Sequence, residues 1–206
     1  MKKNSINKLI LLFLATLALS GCRKNFTNYF ADAADEGLAI FSNTGNNLMT
    51  CFVDGKPWRT INRTQTGNGF PVYEVAITKQ TTAGVQDTLV IHWTGHYNGE
   101  EISTGAISLS IAVPKNFNYR NFSSLQGQRL FIDTAVNGFF STGISALSIG
   151  DPKGNGSIYF NTARLDSIAP GKYTGYMSGI LEANFPSFKI TRGRFDGWLN
   201  EENVEL

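Results

Sequence analysis

The chain is poor in the residues that carry most protein chemistry. Two cysteines in 206 residues allow at most one disulfide, so packing rather than cross-linking must hold the fold. Two histidines leave little material for a metal cage or a proton relay. Six prolines exclude a proline-rich spacer. A formal net charge of +2 excludes the basic excess that a nucleic-acid-binding face requires. Beyond Leu9–Leu19 no apolar run approaches the roughly twenty residues of a membrane-spanning helix. Glycine loops that cradle phosphate are absent, because the glycines are spaced as turns. The serine-nucleophile pattern Gly-x-Ser-x-Gly is absent too: Ser141-Thr142-Gly143-Ile144-Ser145 lacks its first glycine. No cofactor is therefore expected.

What is present begins with a leader. Lys2, Lys3 and Lys8 precede the apolar run Leu9–Leu19, and small residues follow at Ser20 and Gly21, the three parts of a secretory signal. Leu19-Ser20-Gly21-Cys22 resembles the lipobox of bacterial lipoproteins. The resemblance implies a diacylglyceryl thioether on Cys22, cleavage before it and acylation of the new amino terminus. Several acyl chains together make attachment effectively permanent, since each buried methylene contributes about 0.8 kcal/mol. Removing the leader takes the formal charge from +2 to −1. Arg23, rather than Asp, follows the lipid-bearing cysteine, which by lipoprotein sorting points to the outer membrane; no acidic cluster follows it immediately, so the periplasmic face is expected, with the cell surface as the alternative. The remaining Cys51 lies in Leu48-Met49-Thr50-Cys51-Phe52-Val53 and reads as a small apolar core residue.

Residues 1–21 are thus expected as the signal, 22–37 as a lipidated tether, and 38–206 as a single β-domain, a length that suits one sizeable core. From Leu48 onward apolar residues recur with period two. Ile107, Leu109, Ile111 and Val113 alternate with Ser108, Ser110 and Ala112, a strand with one buried face. Asp54-Gly55 predicts a two-residue hairpin turn with positive φ at both positions. Gly150–Gly156 reads as a loop, and Pro114–Leu125 as a crossover or short helix. About ten strands without a sustained helical period predict an all-β, antiparallel two-sheet sandwich, with a closed barrel as the alternative.

Phe41-Ser42-Asn43-Thr44-Gly45-Asn46-Asn47, followed by Cys51-Phe52-Val53-Asp54-Gly55-Lys56-Pro57-Trp58, resembles the opening of a family of Bacteroidota lipoproteins with no assigned activity. Ile190-Thr191-Arg192-Gly193-Arg194-Phe195-Asp196 is similar to that family's closing strand, so the likeness brackets residues 38–199. It implies location and a β-fold, and no chemistry.

Candidate chemistry is sparse. His92 and His96 are four apart on a predicted strand, about 13 Å from one another, too far to share a metal ion unless Gly95 turns the chain. No metal site is expected, even with Glu100 and Glu101 following. The acids Glu74, Asp87, Asp133, Asp166, Glu182 and Asp196 are scattered, whereas hydrolysis needs two facing one cleft. Asp87-Thr88-Leu89, Asp133-Thr134-Ala135 and Asp166-Ser167-Ile168 resemble the Asp-Ser/Thr-apolar sequon of Bacteroidota, which implies O-glycosylation at Thr88, Thr134 and Ser167. Trp58, Trp93, Trp198, Tyr97, Tyr119, Tyr173 and Tyr176 would supply a sugar-stacking platform or, by default, pack the core. The expectation is a lipid-anchored binding or scaffolding module with a glycan or envelope protein as partner. A glycan-directed hydrolase and an accessory subunit of an outer-membrane complex are the alternatives.

Overall fold

The computed structural model describes residues 32–43, 48–60, 73–78, 86–97, 104–144, 153–169 and 172–199. Cys22 and most of the expected tether lie outside them, as do Glu100 and Glu101. The strands are β1 (Leu48–Val53), β2 (Lys56–Thr60), β3 (Tyr73–Thr78), β4 (Gln86–Tyr97), β5 (Thr104–Pro114), β6 (Arg129–Ile132), β7 (Gly138–Thr142), β8 (Lys153–Ala169), β9 (Lys172–Asn184) and β10 (Lys189–Leu199). A short 3-10 helix over Tyr119–Leu125 occupies the segment that broke the strand rhythm.

The sheet closes. Its order runs β2-β1-β10-β9-β8-β7-β5-β4, every pairing antiparallel, and β2 returns to β4 through Trp58↔Tyr97, Arg59↔His96 and Thr60↔Gly95. The architecture is therefore an eight-stranded barrel with additional strands: the all-β, antiparallel expectation holds, and of its two architectures the closed barrel, not the sandwich, is the one formed. The seam explains why. At Gly95 a Cβ would lie 2.3 Å from the Arg59 carbonyl oxygen and 2.4 Å from the Trp58 ring, so only glycine lets the two edges meet. β3 continues along β4 beyond the end of β2, and β6 lies along β8 beyond the end of β7.

Alternation fills the interior. Leu89, Ile91 and Trp93 of β4, Ile107, Leu109 and Ile111 of β5, and Ile158 and Phe160 of β8 all point inward and are buried. Trp93 and Phe160 meet Phe195 with ring centroids 5.6 and 5.9 Å apart. Phe117, Phe122 and Leu125, in and beside the 3-10 helix, join the same core. Cys51 is fully buried, and that burial pushes its thiol pKa up. The hairpin turn forms as predicted, with φ of 49° at Asp54 and 75° at Gly55 and Val53 opposite Lys56.

Two boundaries differ from expectation. Residues 153–156, read as loop, begin β8, with Gly154 opposite Phe140 and Gly156 opposite Ile132. These glycines mark close approach between backbones, not a turn. Asp32–Gly37, placed in the tether, lie on the outside of the barrel next to a fully buried Leu38.

Candidate functional site

The candidate site lies on the outer wall of the barrel and starts from an irregularity in β10. Ile190 pairs with Ala183 and Gly193 with Leu181, so Thr191 and Arg192 together face the single residue Glu182. That is a β-bulge. It breaks the alternation: Ile190, Gly193 and Phe195 face inward, while Arg192 and Arg194 both face outward. Arg192 takes a left-handed conformation, φ 52°, which costs a non-glycine residue about 1 kcal/mol or more.

The two arginines hold the start of the described chain. Arg194 donates from Nη1 to Asp32 Oδ2 at 2.5 Å and to the Ala39 carbonyl at 2.8 Å, and from Nη2 to Asp35 Oδ2. Arg192 pairs with the other Asp35 oxygen. Asp35 and Arg194 are mostly buried, so these charge-assisted contacts are screened less than surface pairs. Within Asp32–Leu38 the chain closes on itself: Asp32 N donates to Leu38 O, Leu38 N to Asp35 O, and Ala34 N to Asp32 Oδ1. The Ala34 amide first, and Arg194 second, hold the Asp32 carboxyl below the ordinary aspartate range. Ala39 N then donates to Thr50 Oγ1 on β1.

Beside this clasp is an open cleft of about 360 Å³. Arg129, Ser157, Ile180, Glu182, Arg192 and Asp35 line it. Register explains the grouping, since directly paired residues share a face. One row reads Phe131–Ser157–Glu182 and the next Arg129–Tyr159–Ile180–Arg194. The Arg129 guanidinium lies 5.5 Å from the Tyr159 ring centroid. Phe131 is 72% exposed and Ile180 40%, so an apolar surface is open among the charges. Farther along the wall Tyr176 donates to the buried Asp196 at 2.7 Å, with Trp198 edge-on at 5.5 Å.

The residues singled out from sequence do not converge here, Glu182 excepted. Thr88 is half-buried within β4, between Thr78 and Ala112. Thr134 is exposed in the turn after β6, where Asp133 Oδ1 accepts from Ala135 N. Ser167 is in β8 opposite Tyr173, and its side chain lies outside the described set. His92 bonds Ser108 Oγ at 2.7 Å and Thr94 at 3.2 Å on the outer face. Among the described residues no three His, Cys, Asp or Glu side chains are grouped to hold a metal ion. No helix among them is long and apolar enough to cross a membrane. Trp58, Trp93 and Tyr97 are core residues, so they supply no platform. The exposed aromatic beside the cleft is Phe131, which the sequence reading passed over together with Arg129, Ser157, Ile180 and Arg192. No protein-family model, curated protein or solved structure matches the chain.

Proposed function

We propose that the protein is a lipid-anchored module of the bacterial envelope, held in the outer membrane through Cys22, that acts by binding through the β6–β8–β9–β10 wall. The leader and the likeness to Bacteroidota lipoproteins support the location. One observation carries the mode of action: the cleft lies outside the barrel and mixes unburied charge with exposed apolar surface, the composition of a recognition site. Among the described residues the inward side chains pack into one apolar core, which supports the outer wall as the binding face. The hydrolase reading is weaker, because Asp35 is tied to two arginines and, among the described residues lining the cleft, Glu182 is the one carboxylate left to work there. Among the described side chains, Thr134 is exposed on a turn and Thr88 is half-buried in β4, so O-glycosylation is proposed at Thr134 first.

Anchor and wall are tested separately. Cys22→Ala should lose fatty-acid labelling and leave the membrane fraction; continued labelling would refute the anchor. A photoreactive residue at Ile180 should give discrete adducts in intact cells, while one at Ser110, outward-facing on β5, should not. Equal adducts from both positions, or none from Ile180, would refute the wall as the binding face.

A further inference from the structure

We infer that the cleft between β6, β8, β9 and β10 is a binding site for neutral sugar, with Arg129, Ser157, Glu182 and Phe131 as its contact residues. This deepens the binding reading and rests on it. The argument is one of charge and shape. Arg192 and Arg194 are already spent on Asp32 and Asp35. Among the described residues, Arg129 meets only the Tyr159 ring, and Glu182 pairs with no cation. One guanidinium, one carboxylate and one serine hydroxyl are thus left facing the same small space.

A ligand of a single charge sign meets a repelling partner in that set. An anion drawn to Arg129 faces Glu182, and a cation drawn to Glu182 faces Arg129, while the charges of Arg192, Arg194, Asp32 and Asp35 balance among themselves. A hydroxyl suits both, because it accepts from the guanidinium and donates to the carboxylate. Charged groups of both signs can therefore bond vicinal hydroxyls without a net charge on the ligand. Glu182 and Arg129 sit two strands and one residue pair apart along the wall, a separation of roughly 10–12 Å between backbones. Their long side chains span a ring or two, and not the short distance between the charges of one amino acid. The apolar surface fits as well. Ile180, which lines the cleft, and Phe131, paired with Ser157 beside it, offer the exposed hydrocarbon that the C–H face of a pyranose requires. A volume near 360 Å³ is at the small end of ligand pockets, roughly 300–1,000 Å³, so the site holds a short unit of a chain and not a folded partner.

The test is binding of the folded protein to a panel of neutral gluco-, manno-, galacto- and xylo-oligosaccharides. Sulfated and sialylated sugars and a zwitterionic dipeptide serve as competing probes. Glu182→Gln, Arg129→Met and Phe131→Ala are all exposed substitutions, so their folds are checked by circular dichroism, with Lys115→Met as the remote control. At least one neutral sugar should bind, with affinity about tenfold or more weaker in Glu182→Gln and Arg129→Met, as expected for losing a hydrogen bond to a charged group, and unchanged in Lys115→Met. The inference is overturned if no neutral sugar binds, if the three variants bind as well as wild type, or if the sulfated sugars or the dipeptide bind best. Adducts from Ile180 in cells without sugar binding would leave the binding wall standing and make its occupant a protein.

Discussion

At Gly55 the backbone alone sets the cost of substitution. A Cβ there would touch nothing within 4 Å, yet φ is 75°. Gly55→Val should therefore lose roughly 1–3 kcal/mol through conformation and not through packing, read as a lowered denaturant midpoint; an unchanged midpoint would refute the turn assignment. The Asp-Gly pair was legible because its chemistry is local. Its second attachment was not: Asp54 Oδ1 accepts from Lys189 N and Asp54 N donates to Lys189 O, across more than a hundred residues of chain. Arg192 lies between these cases. Ile190 and Phe195 are five apart and both join the core, a spacing that unbroken alternation does not give, and the bulge between them reconciles it. That it would turn two arginines outward onto Asp35 needed the partner segment as well.

Among the elements, the Asp32–Leu38 loop has the clearest response to solution conditions. Asp32 is depressed in the folded state. Such a group contributes stability that is present above its ordinary unfolded pKa, about 3.9, and lost as the pH falls through the lower folded value. Docking should be complete at neutral pH and weaken below about pH 4. The protection factor of the Leu38 amide, which donates to Asp35 O, should fall in acid before core amides such as Ile91 respond. Equal protection from neutral pH down to about pH 3 would contradict this account. Composition hid the element, because Ala31-Asp32-Ala33-Ala34-Asp35-Glu36 reads as solvated linker until its cations are known to lie far along the chain at 192 and 194. β8 was misread for the opposite reason: Gly154 and Gly156 looked like turn punctuation, while β9 approaches there too closely for side chains.

For the molecule as a whole, closure makes the ring cooperative, since every strand of the barrel is paired on both sides. Cys51 reports on it. The thiol is fully buried and its ionisation suppressed, so labelling by a thiol reagent should require global opening. Its rate should track the unfolding equilibrium through the denaturant range; rapid labelling in native buffer would show that β1 opens by itself. Strand content was legible from alternation, and the inward face read at Ile107, Leu109, Ile111 and Val113 is buried. Closure was legible only as the alternative to a sandwich, because the β2–β4 seam joins edges whose complementarity rests on Gly95 and a neighbouring Trp58 ring. The clasp on Asp32 and Asp35 also has a mechanical meaning for an anchored chain. Asp32 follows Cys22 by ten residues and the buried Leu38 follows it by sixteen, so a fully drawn leash is at most about 35 Å with the clasp shut and about 55 Å with it open. With Cys22 as the proposed anchor, two arginine side chains thus decide whether the barrel grazes the lipid surface, β10 side nearest, or ranges freely across the space beyond it.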